Sequence, residues 1–255
     1  MTQRIKLAQD FLPWGVRVAD GQIADQSHNH KFGYNAAVGT TPETIWFQGA
    51  AYTWPSAAAV LDLTSTDDTA DNVAGTGALT VTIEGLDADY AEVSQTITMT
   101  GQTAALTTAL LRVNRMFVAT AGSGLTNAGT VFLSSGAQTT GTPDVATTIR
   151  ATIGIGLSQT QQCIYTVPAG KKAFIMSIIY TAMDQTNNAV FDLLVRPTGG
   201  AWLNKGRVSV FKGTHLYQPQ VPQAFAAGTD IEVQGDAGAA TVACSAELDI
   251  LLVDA

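Results

Sequence analysis

Residues 79–100 read LTVTIEGLDADYAEVSQTITMT, and their apolar and polar positions alternate. Leu79, Val81 and Ile83 share one parity, while Thr80, Thr82 and Glu84 share the other. On an extended backbone this gathers the apolar groups on one face, the mark of a half-buried strand. After a connection carrying Gly85, Asp87 and Asp89, the alternation resumes with Val93, Ile97 and Met99 against Ser94, Thr96 and Thr98, Gln95 being the inner-face exception. Spacing and turn chemistry predict an antiparallel hairpin. A lone hairpin is not stable in water, so other strands must cover it.

The chain supplies them. Residues 44–48 and 58–63 flank a break at Trp54, Pro55 and Ser56, an acidic glycine-containing loop spans 64–77, and short strands are predicted at 110–113, 116–119, 130–133 and 145–151. Residues 153–162, with Gly154, Gly156, Ser158 and a polar run, read as a linker. Further strands follow at 163–167, 172–180, 189–196, 207–211, 231–234 and 241–253. In the last of these Val242, Cys244, Ala246, Leu248, Ile250 and Leu252 share one parity. Short strands separated by regular turns predict an all-β fold. The expected architecture is an extended N-terminal arm (1–42), a first antiparallel β-sandwich, jelly-roll-like module (43–152), the linker (153–162) and a second such module (163–255).

Residues 1–42 show no sustained periodicity and are interrupted by Pro13, Gly15, Gly21, Gly33 and Gly39. Phe11, Trp14, Phe32 and Tyr34 nevertheless make them too apolar for a disordered tail. An arm that orders on a neighbour and an irregular segment packed on its own domain both fit, and these four aromatics are the candidate partner-binding residues of the arm.

Charged residues are only 13% of the 255, so the surface is thinly charged and part of it is expected to be covered by partners. The net charge of −8 is distributed as +1 over residues 1–42, −7 over 43–152 and −2 over 153–255. No Lys or Arg lies between Lys31 and Arg112, which removes the basic surface that direct nucleic-acid binding needs there. Cys163 and Cys244 fall in predicted strands and read as buried reduced thiols rather than a disulfide framework. No apolar run approaches a membrane span, and no signal-like segment opens the chain, so assembly in a cytoplasm is expected.

Catalytic signals are absent: there is no G-x-S-x-G, H-E-x-x-H or P-loop motif, and His28, His30 and His215 are the only histidines. His28 and His30 could form a metal pair on one side of an extended segment, but without a Cys or carboxylate partner the solvated-loop reading is preferred. Asp62, Asp67, Asp68, Asp71, Asp87 and Asp89 match no calcium loop and read as turn formers. Trp46, Tyr52 and Trp54 could stack on sugars, with packing the simpler account; Trp202, in a Gly-Gly-Ala-Trp turn, is the better candidate for an exposed contact. No catalytic, cofactor or metal site is expected, and the chain is read as not an enzyme.

Three stretches carry a family resemblance: HKFGYNAAVGTTPETI (30–45), RMFVATAGSGLTNAG (115–129), and YTVPAGK (165–171) with FDLLVRP (191–197). They resemble a group of virion structural proteins of tailed phages found among marine and cyanobacterial phages, from about Lys31 to the C-terminus. The resemblance implies a virion component built of β-sandwich modules and transfers no functional residues. The expected role is an accessory capsid decoration or cement protein that binds the major capsid protein and itself, as a homo-oligomer with a trimer favoured. The alternatives are a neck or tail collar, adaptor or fibre-base protein, or a receptor-binding module for host glycans.

Overall fold

A computed structural model describes residues 12–184 and 186–255; Phe11 lies outside the described residues. Among the described residues a short α-helix, α1 (Trp14–Ala19), precedes strands, with a single 3-10 turn at Ala146–Thr148. No helix among the described residues is long and apolar enough to cross a membrane.

The strands form four small antiparallel sheets and one short hairpin. The first sheet has the order β1 (Gln26–Val38), β19 (Val242–Asp254), β13 (Lys171–Ala182), β16 (Gly213–Tyr217), with β17 (Ala224–Phe225) also on β13. The second runs β12 (Ile164–Thr166), β18 (Asp230–Ala237), β14 (Asn188–Arg196), β15 (Leu203–Phe211), with β2 (Glu43–Thr44) also on β18. The third is β11 (Ile149–Ile153), β8 (Val131–Ser134), β3 (Asp62–Ser65), β6 (Ala105–Leu106), and the fourth β5 (Glu92–Thr98), β4 (Ala78–Leu86), β7 (Arg112–Ala121). β9 (Gln138–Thr139) and β10 (Thr142–Pro143) pair with each other.

Burial follows the side-chain alternation where that alternation is apolar. On β19 the predicted inward set, from Val242 through Cys244, Ala246 and Leu248 to Leu252, is buried, and it packs with Tyr165, Ile175, Phe191 and Val233 in a core shared by the first two sheets. Val81 and Ile83 of β4 lie with Leu63, Met116, Val131 and Ile153 in a second core, shared by the other two. The predicted hairpin is β4–β5, in the register Val81↔Ile97 and Ile83↔Gln95.

The expected extended arm is corrected. Residues 26–38 form β1, paired with β19 from Gln26↔Val253 to Val38↔Val242. The segment looked patternless because its inward positions include Lys31, Gly33 and Asn35, which no hydrophobic alternation reveals. The two consecutive jelly-roll-like β-sandwich modules are corrected as well. The strands are divided among four small sheets, and sheet membership does not follow the chain: β1 borders β19, and β2 joins β18. Side-chain parity reports which residues face inward and is silent about which strands pair. Of residues 153–162, expected as a linker, Ile153 ends β11 and residues 158–160 lie along β7, where Thr160 N donates to Met116 O (2.9 Å) and Val118 N to Ser158 O (2.8 Å).

Candidate functional site

Three features stand out: an open cleft, a buried seam and an uncovered sheet edge. The cleft, of about 710 Å³, lies between β1 and the β4, β5 and β7 sheet, and is lined among others by His28, His30, Lys31, Glu84, Arg115 and Tyr165. On β1 the alternate positions His28 and His30 project to the same side, and Asp249 of β19 meets both: His28 Nε2 lies 3.2 Å and His30 Nδ1 3.0 Å from Asp249 Oδ1. Ser177 Oγ donates to Asp249 Oδ2 at 2.6 Å. Burial works to raise the Asp249 carboxyl, but the bonds from Ser177, His30 and His28 outweigh it and hold the group below the usual carboxylate range. Among the described residues no three His, Cys, Asp or Glu side chains are placed to hold a metal ion.

Beneath the cleft, Lys31 is buried and its ammonium donates to the Asn114 carbonyl. Burial lowers its pKa from 10.5 to about 8, with Arg115 adding to the effect. The unfolded lysine binds its proton more tightly, so the full penalty is present below pH 8 and is relieved as pH rises from about 8 towards 10.5. Lys31→Met is therefore expected to stabilise the chain near neutral pH, by up to about 3 kcal/mol, with the gain shrinking across that window. Urea unfolding of both chains at neutral and alkaline pH measures this, because the other titrating groups cancel in the difference. A gain that stays constant with pH would refute the burial account.

The seam joins the two pairs of sheets. Arg112 of β7 donates through Nε to Asp230 Oδ1 (2.8 Å) and through Nη2 to Oδ2 (3.1 Å). Arg196 Nη2 reaches Asp230 Oδ2 at 2.6 Å, and Thr166 Oγ1 donates to Oδ1 at 2.6 Å. Both guanidiniums lie over Trp54, at 5.3 Å for Arg112 and 5.5 Å for Arg196. Trp46, Tyr52 and Trp54 form an edge-to-face ladder with centroid spacings of 5.1 and 5.0 Å, which Trp202 extends at 5.5 Å. Trp54 Nε1 donates to the buried Glu232 at 2.8 Å, and burial pushes that carboxyl above the ordinary range. The aromatic cluster thus packs the junction between halves.

Four of the acids weighed as calcium ligands, Asp67, Asp68, Asp71 and Asp87, accept from backbone amides. Buried Asp71 accepts from Ser65 Oγ (2.7 Å) and from the amides of Ala78 (2.7 Å), Ala128 (2.9 Å) and Gly129 (2.8 Å). Asp67 caps Thr69 and Ala70, and Asp87 caps Asp89 and Ala91. Both cysteines are free and buried, and burial pushes the thiol of Cys163 up and that of Cys244 up to about 12, which leaves neither as a ready nucleophile.

Of the candidate partner-binding residues that the structure describes, Phe32 and Tyr34 share one strand, while Trp14 and Trp202 lie outside it. Trp14 lies on α1, 47% exposed, with Nε1 donating to Gln26 Oε1 at 3.2 Å. Phe32 and Tyr34 sit half-buried on β1 opposite Glu247 and Ser245, and Phe32 borders the cleft. Trp202 is half-buried, with the Arg196 guanidinium 4.7 Å from its ring.

Sequence reasoning missed the uncovered edge. Among the described residues β15 pairs only with β14 and β16 only with β13, so each ends its sheet with one side open. Leu203 (44%), Phe211 (61%), Leu216 (53%) and Tyr217 (49%) are exposed there. A signal was present: residues 193–229 contain no Asp or Glu.

No family model matches the chain, and no curated protein matches it. Among solved structures it is similar to one of infectious bursal disease virus Gx strain (10% identity, 90% of this chain and 72% of that one, TM-score 0.23). It is also similar to one of the Gt strain of that virus (10%, 94% and 78%, 0.20) and to its VP2 subviral particle (9%, 91% and 76%, 0.17). Scores this low carry no argument about fold or role. The expected membership among tailed-phage virion proteins is corrected on the sequence comparisons alone: no family model and no curated protein matches, so no phage family stands behind the resemblance. The bacteriophage and tail expectations fall with it.

Proposed function

We propose that this chain is a non-enzymatic structural protein of a virus particle, an accessory component that attaches to a capsid and to copies of itself. The observation that carries this reading is the open β15–β16 edge, where, among the described residues, apolar side chains and strand edges without a further partner strand stand uncovered on a thinly charged protein. Monomeric soluble proteins blunt or cover such edges, whereas components of assemblies use them. The division of labour inside the chain agrees with that use. The Trp54 cluster and the Arg112–Asp230 pair join the two halves, His28 and His30 are tied to Asp249, and Asp67 and Asp87 cap turns.

In this reading the capsid role is decoration or cementing, with many equivalent attachments adding to avid binding. The test is a reconstruction of purified particles with quantification of this chain against the major shell protein. Many copies spread regularly over the shell are expected. Absence of the chain from particles would overturn the structural reading, and a few copies at a single vertex would overturn decoration.

A further inference from the structure

We infer that the β15–β16 edge docks head-to-tail on the acidic β4–β5 hairpin of a second copy of this chain. The inference deepens the structural role proposed above and rests on it. Its basis is a segregation of charge between two open edges of one molecule. Residues 193–229 carry Arg196, Lys205, Arg207 and Lys212 with no acid, whereas residues 32–111 carry nine Asp and Glu with no base. Arg196 and Arg207 are held by Asp230 and Asp192, which leaves Lys205 and Lys212 as the exposed charge beside Phe211, Leu216 and Tyr217.

The complementary surface is the hairpin. Glu84, Asp87, Asp89 and Glu92 cluster within nine residues, and Asp89 and Glu92 are exposed. β5 ends its own sheet, with β4 as its ladder partner, so strand edge and negative charge coincide there as strand edge and positive charge do at β15. Among the described residues no ion pair joins the two surfaces within one chain. A symmetric contact of β15 with its own copy would oppose basic residues to basic residues, and so would be repelled. A heterologous contact satisfies both surfaces, and repetition of it gives a closed ring or an extended array.

Sedimentation velocity on the full chain tests this. Association is expected at low salt, with affinity falling at least about tenfold between about 0.01 M and about 1 M salt, as the screening length shortens from about 30 to about 3 Å. Lys205→Glu with Lys212→Glu, and separately Asp89→Lys with Glu92→Lys, are each expected to leave monomers with unchanged circular dichroism and melting, and mixing the two variants is expected to restore association. A wild-type chain monomeric at low salt, reversed variants that associate as the wild type does, or a mixture that stays monomeric would each overturn the inference. Incorporation into particles separates the two claims. Wild-type chain present on particles with the reversed variants incorporated equally would overturn this contact alone, whereas wild-type chain absent from particles would overturn the structural role.

Discussion

Arg112→Ala is expected to cost about 3 kcal/mol of stability, near the lower end of the range for removing one partner of a buried ion pair. Arg112 is 5% exposed and Asp230 2%, so neither charge can turn to water when the other is lost. Asp230 keeps Arg196 and Thr166, which is why the loss stops short of the full penalty for an orphaned buried carboxylate. The Pro55 carbonyl, which accepts from Arg112 Nη1 at 2.8 Å, loses its donor, and the face of Trp54 loses one of its two guanidiniums. For a chain of this size the change corresponds to a fall in melting temperature of roughly 6–12 °C. Because Arg112 lies on β7 and Asp230 on β18, the variant is also expected to loosen the coupling between halves, read by calorimetry as a broadened or split transition. Arg207→Ala is the matched control. Its bidentate pair with Asp192 has similar distances, 2.7 and 2.6 Å, but the Arg207 side chain is 64% exposed, and a loss below about 1 kcal/mol is expected. Equal losses for the two variants would show that burial is not what makes the seam strong.

That seam marks where reading the sequence stops. The alternation at Leu79, Val81 and Ile83 and that from Val242 to Leu252 gave strands where the structure has β4 and β19, because a two-residue period is local and apolar residues fall on one parity. Strand pairing is not local. Arg112 and Asp230 stand 118 residues apart, and nothing in either neighbourhood records that one meets the other. β1 escaped detection because polar residues and a glycine fill its inner face, and the buried lysine among them is stabilised by a single carbonyl. The open edge escaped for another reason. Alternation at Val208 and Val210 marks a strand at 207–211 but not that it ends its sheet, β16 is exposed throughout, and only the missing acids marked the segment as a surface. Asp71 illustrates the same limit in a loop, since an acid that reads as a solubilising turn former is fully buried and accepts four hydrogen bonds.

The sharpest test of the corrected arm is Gly33→Ala, expected to cost about 3 kcal/mol or more, at the upper end of what overpacking produces. Gly33 lies mid-strand in β1, opposite Ala246, where the first sheet crosses the backbone that carries Ile45 and Cys163. A Cβ there would stand 2.0 Å from the Ile45 carbonyl oxygen, 2.5 Å from the Cys163 amide nitrogen and 2.7 Å from the Cys163 Cβ. These atoms cannot step aside cheaply. Cys163 N donates to Ile45 O at 2.9 Å, and the same backbone continues into the ladder through Ile45 N to Val233 O (2.9 Å) and Val233 N to Cys163 O (3.1 Å). The methyl must therefore push β1 off the second sheet or break that ladder, and either change reaches the shared core at Cys163 and Val38. Gly206→Ala on β15 is the control, since a Cβ there has nothing within 4 Å and the stiffer unfolded chain gives at most a small gain, about 0.5 kcal/mol. Thermal melts of both variants decide the matter. A Gly33→Ala chain as stable as the wild type would mean that β1 lifts away without loss, which is the behaviour of an arm, whereas a large loss confined to Gly33 makes residues 26–38 an integral strand of the fold.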